Sequence, residues 1–167
     1  MCSVVLRRGA LGALAHDDAI GEKIRAGTGA RAITVLSAVL AQLRRIAPRR
    51  LAIFTPYVED LTLSIASSLA EGGYAPVRAG GIGIRENLDI GRNTPEEITD
   101  FVAGQIEGCA ADCAFLSCTN WQAIEAIEPL RSSLRIPIVT SNQAAIEAVR
   151  AMRIQAAKKP EHGFGAA

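Results

Sequence analysis

Short apolar runs alternate with helical patterns along this chain of 167 residues. The most distinct run, Ala114-Phe115-Leu116, stops abruptly at the polar sequence Ser117-Cys118-Thr119-Asn120. Strands separated by helices favour a mostly parallel sheet, because parallel strands need crossover connections and are then covered by helices on both faces. We therefore predict an α/β fold in which Cys118 follows the carboxyl end of a buried strand, where open α/β sheets bind ligands.

The individual elements are predicted from hydrophobic spacing and from helix start and stop signals. The clearest start is Thr94-Pro95-Glu96-Glu97, because threonine caps helices, proline fits the first helical position and acids favour the positive end of the helix dipole. A long loop is expected at 80–94. The expected strands are 30–35, 51–54, 74–79, 113–117 and 136–139; the expected helices are 17–26, 37–46 with Ser37 as N-cap, 58–71, 94–106, 121–134 with a break near Pro129, and 142–152.

Three of the predicted strands end in polar clusters: Thr55-Pro56-Tyr57, Ser117-Cys118-Thr119-Asn120 and Thr140-Ser141-Asn142-Gln143. In a parallel sheet these ends lie along one edge, so a phenol, a thiol, amides and hydroxyls would line a shared crevice. Such groups suit a small polar or carboxylate ligand, and a cysteine among them is a candidate nucleophile or proton donor. The alternative is that the serines, threonines and asparagines only cap the helices that follow.

The charge balance argues against a nucleic-acid or membrane partner. The chain carries 18 basic and 17 acidic residues, a net charge of +1, so it has no electrostatic footprint for an anionic surface. No apolar run reaches the length of about 20 residues that a transmembrane helix needs. At the N-terminus the charges of Arg7 and Arg8 follow the short apolar run, which is the wrong order for a signal peptide. A cytoplasmic location is the default expectation.

The cysteines do not suggest a metal site or a disulfide. Cys109, Cys113 and Cys118 lack the paired spacing of structural zinc sites and have no histidine near them in the sequence. Cys109 and Cys113 are expected to pack as small hydrophobic residues. The run Gly80-Gly81-Ile82-Gly83 lacks the residues that a phosphate-binding loop needs, which argues against a nucleotide.

Four segments, in this order, resemble the maleate cis-trans isomerase group of the aspartate/glutamate racemase superfamily, whose relatives include arylmalonate decarboxylase and glutamate racemase. The resemblance extends from about His16 to Met152. The segments are Thr55-Pro56-Tyr57, Glu86-Asn87-Leu88-Asp89-Ile90-Gly91-Arg92, Ser117-Cys118-Thr119-Asn120 and Val139-Thr140-Ser141-Asn142-Gln143-Ala144.

The resemblance implies a fold of two α/β domains related by a pseudo-twofold axis, with an active site between them and no cofactor. Each domain of such enzymes usually supplies one cysteine, and Cys118 resembles the cysteine of the second half. Tyr57 and Asn87 resemble ligands of a substrate carboxylate, while Thr119 and Asn120 would supply neighbouring donors. The implied partner is a small dicarboxylate substrate. The resemblance is compatible with a homo-oligomer but does not decide the oligomeric state.

The chain departs from the family at its beginning. The first-half cysteine would fall near Gly9, but the segment 7–11 does not resemble the family there, and Cys2 lies too early to replace it. We therefore expect an N-terminally truncated member. Residues 1–48 plus 139–167 are predicted to form a partial first domain, and residues 49–138 a complete second domain.

Two classes of function follow from the resemblance. The leading expectation is a cysteine-based isomerase of the maleate-to-fumarate type, inactive if the truncation removes an essential thiol. The alternatives are an arylmalonate-type decarboxylase with Cys118 as proton donor, an amino-acid racemase relative, or a non-catalytic remnant that binds a small dicarboxylate or a partner subunit.

Overall fold

One parallel sheet of four strands organises the molecule. The structure is a computed structural model that describes residues 10–74 and 76–158. The strand order is β2-β1-β3-β4, and each neighbouring pair is parallel. The α/β fold with a parallel sheet is thus confirmed. The strands are β1 (Leu51–Thr55), β2 (Pro76–Gly81), β3 (Cys113–Leu116) and β4 (Ile138–Thr140).

Seven helices accompany this sheet in the described part of the chain. The predicted start of one of them is confirmed: Thr94 accepts a hydrogen bond from the Glu97 amide, while the Glu97 side chain accepts one from the Thr94 amide. This reciprocal pair satisfies two backbone donors at the start of the helix. The helices are α1 (Ala10–Thr28), α2 (Val35–Ile46), α3 (Glu59–Glu71), α4 (Asn87–Ile90), α5 (Pro95–Ile106), α6 (Ile127–Leu134) and α7 (Ser141–Lys158). None of the described helices is both long and apolar enough to cross a membrane.

The centre of the sheet is buried on both faces, as the alternation of β1 shows. Ala52 and Phe54 point into a core closed by α5 and α6, whereas Leu51 and Ile53 point into a second core closed by α2, α3 and α7. All five residues of β1 are buried. A strand with apolar side chains on both faces is typical of a parallel sheet between two helical layers.

The strand predicted at 30–35 is wrong. Residues 29–34 have no regular structure, and Thr34 instead caps α2 by accepting a hydrogen bond of 3.1 Å from the Ser37 amide. Ser37 is therefore the third helical residue and not the N-cap. Because Thr34 offers the helix start a side-chain oxygen, α2 begins earlier than its apolar spacing indicates.

The helix predicted at 121–134 begins only at Ile127, and its break near Pro129 is wrong. Pro129 lies in the first turn of α6. Backbone N–H groups in a first turn make no intrahelical hydrogen bond, so a proline there removes none. Residues 119–126 form turns instead. Smaller differences affect β2 and β4, which begin two residues later than predicted, and α7, which continues to Lys158. The predicted loop at 80–94 contains the end of β2 and the short helix α4.

The segments predicted to belong to two domains share the described sheet. β4 pairs with β3, and residues of α2 and α7 pack in one core with Leu51 and Ile53 of β1. The division into a partial domain (1–48 plus 139–167) and a second domain (49–138) stays a prediction. Its outer parts, residues 1–9 with Cys2 and Gly9 and residues 159–167, lie outside the described residues.

Among the described glycines, Gly81 has the closest neighbours. A Cβ atom at Gly81 would overlap the carbonyl oxygen of Tyr57 and lie 2.5 Å from Thr62 Oγ1. We expect Gly81→Ala to lower the free energy of unfolding by about 1–3 kcal/mol, the usual cost of overpacking. Urea denaturation measures this change.

Gly104→Ala is the matched control. Gly104 lies in α5 with no atom near the position of an added Cβ. Alanine is the better helix former, so this change should raise the free energy of unfolding by up to about 1 kcal/mol. Equal effects of the two substitutions would contradict the close packing at Gly81.

Candidate active site

Cys118 lies directly beyond the carboxyl end of β3. The Ser117 amide donates to the Phe54 carbonyl over 2.9 Å, which extends the pairing of β3 with β1 by one residue. The next residue, Cys118, is 7% exposed, and its sulfur accepts a hydrogen bond of 3.3 Å from the Asn120 amide. A backbone donor directed at a sulfur stabilises negative charge that develops there during a reaction.

Tyr57 reaches the same place from the neighbouring strand. The turn after β1 is fixed because Thr55 Oγ1 accepts the Tyr57 amide over 3.1 Å and lies 2.6 Å from Thr62 Oγ1. The phenol lies beside the Cys118 side chain, within hydrogen-bonding reach of it. Burial first, and then this hydrogen bond and the charge of Cys118, raise the pKa of Tyr57 well above its ordinary value of 10. The phenol therefore stays neutral and keeps its proton for donation.

Asn87 and Asn120 form a second contact at this edge. Asn120 Nδ2 donates to the backbone carbonyl of Asn87 over 2.7 Å and lies 3.3 Å from Asn87 Oδ1. Asn87 is the first residue of α4, and both asparagines are exposed. The predicted ligand residues thus form two contacts, Tyr57 with Cys118 and Asn87 with Asn120, whereas their roles in binding stay predictions.

The third predicted cluster contributes structural contacts. Asn142, in the first turn of α7, donates from its amide to the Thr119 carbonyl over 3.0 Å. Thr140 Oγ1 accepts the Gln143 amide over 3.1 Å, as a helix cap does. The capping alternative considered for this cluster therefore holds for Thr140, while Asn142 fixes the segment that follows Cys118.

Sequence reasoning missed two contacts beside these residues. The buried indole of Trp121 donates to Asn93 Oδ1 over 2.5 Å, and the Gln122 amide donates to the Gly91 carbonyl over 2.8 Å. Both join the segment after Cys118 to the segment around α4. The one available signal was Trp121, the single tryptophan of the chain, three residues beyond the cysteine.

Comparison with known proteins identifies the family. Residues 3–163 match the arylmalonate decarboxylase family. The chain belongs to that family. It is 29% identical over 151 residues to arylmalonate decarboxylase of Bordetella bronchiseptica, and 30% identical over 122 residues to a maleate isomerase of Pseudomonas putida. A crystal structure of arylmalonate decarboxylase superposes with a TM-score of 0.73 at 30% identity.

These alignments cover the chain and its relatives unequally. They include 89% of this chain and 63% of the Bordetella decarboxylase, and 72% of this chain and 47% of the Pseudomonas isomerase. The superposition with the crystal structure includes 81% of this chain and 60% of the decarboxylase chain. The chain thus spans less than two thirds of these members, and the superposed part matches one α/β domain of the decarboxylase fold.

The other two described cysteines of this family member lie apart from Cys118. Cys113 begins β3, is fully buried, and has its pKa raised to about 12 by burial first and by the nearby Asp112 second. Cys109 is half-buried and lines a cavity of about 240 Å³ with apolar side chains of α5 and α6. Both pack as small hydrophobic residues. Among the described side chains, no group of three histidines, cysteines or acids is arranged to hold a metal ion.

The raised pKa values predict a loss of stability at high pH. Cys113 keeps its proton up to about pH 12 in the folded state, whereas the unfolded chain releases it near 9. Above pH 9 the unfolded state therefore binds fewer protons, and the free energy of unfolding should fall by about 1.4 kcal/mol per pH unit for this group. Tyr57 adds a decline in the same direction above pH 10.

Urea denaturation between about pH 8 and about pH 10.5 measures this decline. Cys113→Ala should make it shallower, and Tyr57→Phe should do so at the upper end of the range. A slope that neither substitution alters would contradict the assignment.

Proposed function

We propose that this chain provides the thiol of a cofactor-independent decarboxylase that acts on a small malonate-type dicarboxylate. The observation that carries the proposal is the placement of Cys118 Sγ beside the Tyr57 phenol and the Asn120 amide at the carboxyl end of the sheet. Membership of the arylmalonate decarboxylase family supports this reaction over the isomerisation that the sequence motifs first favour.

The reaction needs one proton donor and stabilisation of negative charge. The bond between the α-carbon and one carboxylate breaks, CO₂ leaves, and the electron pair stays on the α-carbon, delocalised into the remaining carboxylate. Cys118 donates its proton to that carbon, and the thiolate regains a proton from solvent, so that one proton is consumed for each CO₂ released. The Asn120 amide and the neutral Tyr57 phenol stabilise the thiolate in between.

The remaining polar residues bind the carboxylates in this proposal. Asn87 accepts a hydrogen bond through Oδ1, so its amide N–H groups are left to donate to a substrate oxygen. Thr119 and Asn120 add donors on the same side of the substrate. The racemase-like pseudo-twofold arrangement, with an incomplete first domain, belongs to the proposal: a cleft of that kind places the substrate between Cys118 and a facing domain.

Cis-trans isomerisation of a maleate-type acid is the second candidate. The paired amides of Asn87 and Asn120, together with 30% identity to a maleate isomerase over 122 residues, favour it. In that reaction the Cys118 thiolate adds to the double bond, the resulting single bond rotates, and the thiolate leaves again.

Turnover assays separate these candidates. We expect the protein to release CO₂ from phenylmalonate, with the matching arylacetic acid detected by chromatography, and to form no fumarate from maleate. Cys118→Ser should lower this rate by a factor of about 10² to 10⁴, the usual contribution of a proton donor, while Cys113→Ala should not.

The other outcomes are equally specific. Fumarate formed from maleate without decarboxylation would support the isomerase candidate. Stabilisation by malonate in a thermal-shift measurement, without any product, would support a non-catalytic binding protein and contradict the proposed decarboxylase.

Alkylation tests the thiol without turnover. We expect iodoacetamide to modify Cys118 faster than Cys109 or Cys113 in the folded protein, because Cys118 lies among charge-stabilising donors and Cys113 is fully buried with a raised pKa. Peptide mass spectrometry resolves the three sites, and malonate should protect Cys118 alone. Equal labelling of the three cysteines would contradict the proposed site.

A further inference from the structure

Three consecutive residues after Cys118 are bonded to one segment. Asn120 donates to Asn87, Trp121 to Asn93 and Gln122 to Gly91, over 2.7, 2.5 and 2.8 Å. We call residues 117–122 the Cys118 turn and residues 86–93 the α4 segment. These bonds join two parts of the chain that are about 30 residues apart in sequence and that have no strand pairing between them.

The bond from Trp121 is the most deeply placed of the three. Trp121 is 2% exposed and packs in the core beneath the Cys118 turn, among residues that include Ile90 and Ile98. A buried indole N–H needs an acceptor, because leaving it unpaired costs its full desolvation penalty. Asn93 Oδ1 is that acceptor.

The amide of Asn93 is itself held in one orientation. Its Nδ2 donates to Glu97 Oε2 over 2.7 Å, and the same oxygen accepts the Thr94 amide over 2.9 Å in the capping box of α5. With Nδ2 bound to the carboxylate, Oδ1 is directed at the indole. A chain of hydrogen bonds therefore runs from the start of α5 through Asn93 and Trp121 to the Cys118 turn.

We infer that Asn93 is a positioning residue for Cys118 and acts through Trp121. Its bond fixes one side of the Cys118 turn, while Asn142 fixes the other side at the Thr119 carbonyl. With both sides held, the Asn120 amide stays directed at the sulfur, and the sulfur stays sheltered beside Tyr57. Only the effect on turnover rests on the proposed function.

Four variants test this inference. Asn93→Ala removes the acceptor for the indole, and Glu97→Ala removes the group that orients Asn93. Glu97→Gln is the conservative variant, because its amide oxygen can still accept from Asn93 and Thr94. Gln105→Ala is the matched control: it removes a hydrogen bond of 2.7 Å between α5 and Arg78, away from Cys118.

Three readouts are measured on each variant. Trp121 is the single tryptophan of the chain, so acrylamide quenching of the intrinsic fluorescence reports its environment directly. The ratio of iodoacetamide labelling at Cys118 to that at Cys113 reports how well the donors around Cys118 stabilise its thiolate. The kcat and KM for phenylmalonate report the effect on turnover, which loss of positioning should concentrate in kcat.

We expect Asn93→Ala and Glu97→Ala to raise quenching at least about twofold and to lower the labelling ratio about tenfold, the size of effect that one lost hydrogen bond gives. The kcat should fall about tenfold with KM nearly unchanged. Glu97→Gln should restore all three readouts, and Gln105→Ala should leave them at the unsubstituted values.

Two results would overturn the inference. One is unchanged quenching and an unchanged labelling ratio in both alanine variants. The other is a fall of the labelling ratio that comes from faster labelling at Cys113, which would indicate general loosening of the fold. If the unsubstituted protein shows no turnover, the proposed function fails, but quenching and the labelling ratio still decide the role of Asn93.

Discussion

The parallel pairing of β1 with β3 is the constraint on which the candidate site depends. Phe54 is level with Leu116, and the Ser117 amide continues the ladder to the Phe54 carbonyl. The two strands therefore end side by side at the same edge of the sheet, and Tyr57 and Cys118 each lie two residues beyond the end of their strand. Because side chains alternate along a strand, a register shift of one residue would turn the inward-facing set of β3 to the opposite face and separate the phenol from the thiol.

The turn after β1 is as tightly determined as the register. The Tyr57 carbonyl accepts the Gly83 amide over 3.0 Å, and the Pro56 carbonyl accepts the Ile84 amide over 2.8 Å. These bonds bring the end of β2 against the Tyr57 turn, and only a residue without a side chain fits at Gly81. Backbone bonds from the segment that follows β2 thus fix the Tyr57 turn, so this candidate site residue is built on rigid elements.

The sequence predicts the edge of the sheet at which Tyr57 and Cys118 lie, but it does not predict the tertiary hydrogen bonds around them. The strands at 51–54 and 113–117 were predictable because short apolar runs bounded by polar residues are a local signal, and Tyr57 and Cys118 follow from them. Thr34, by contrast, could be read as strand or cap, and tertiary context decides between the two. The bond between Asn93 and Trp121 joins residues 28 positions apart in turns without periodicity, so no pattern in the sequence indicates it.

The described thiols lie at opposite edges of the sheet. Cys113 begins β3 and Cys118 follows its end, so at about 3.3 Å per residue the two lie roughly 16 Å apart, at opposite edges of the sheet. Cys109 precedes β3 and lies with Cys113 on the far side. Among the described residues, Cys118 is thus the one thiol at the carboxyl edge. The decarboxylation proposed above draws its proton from this one sulfur, with the phenol of Tyr57 and the backbone donor of Asn120 beside it.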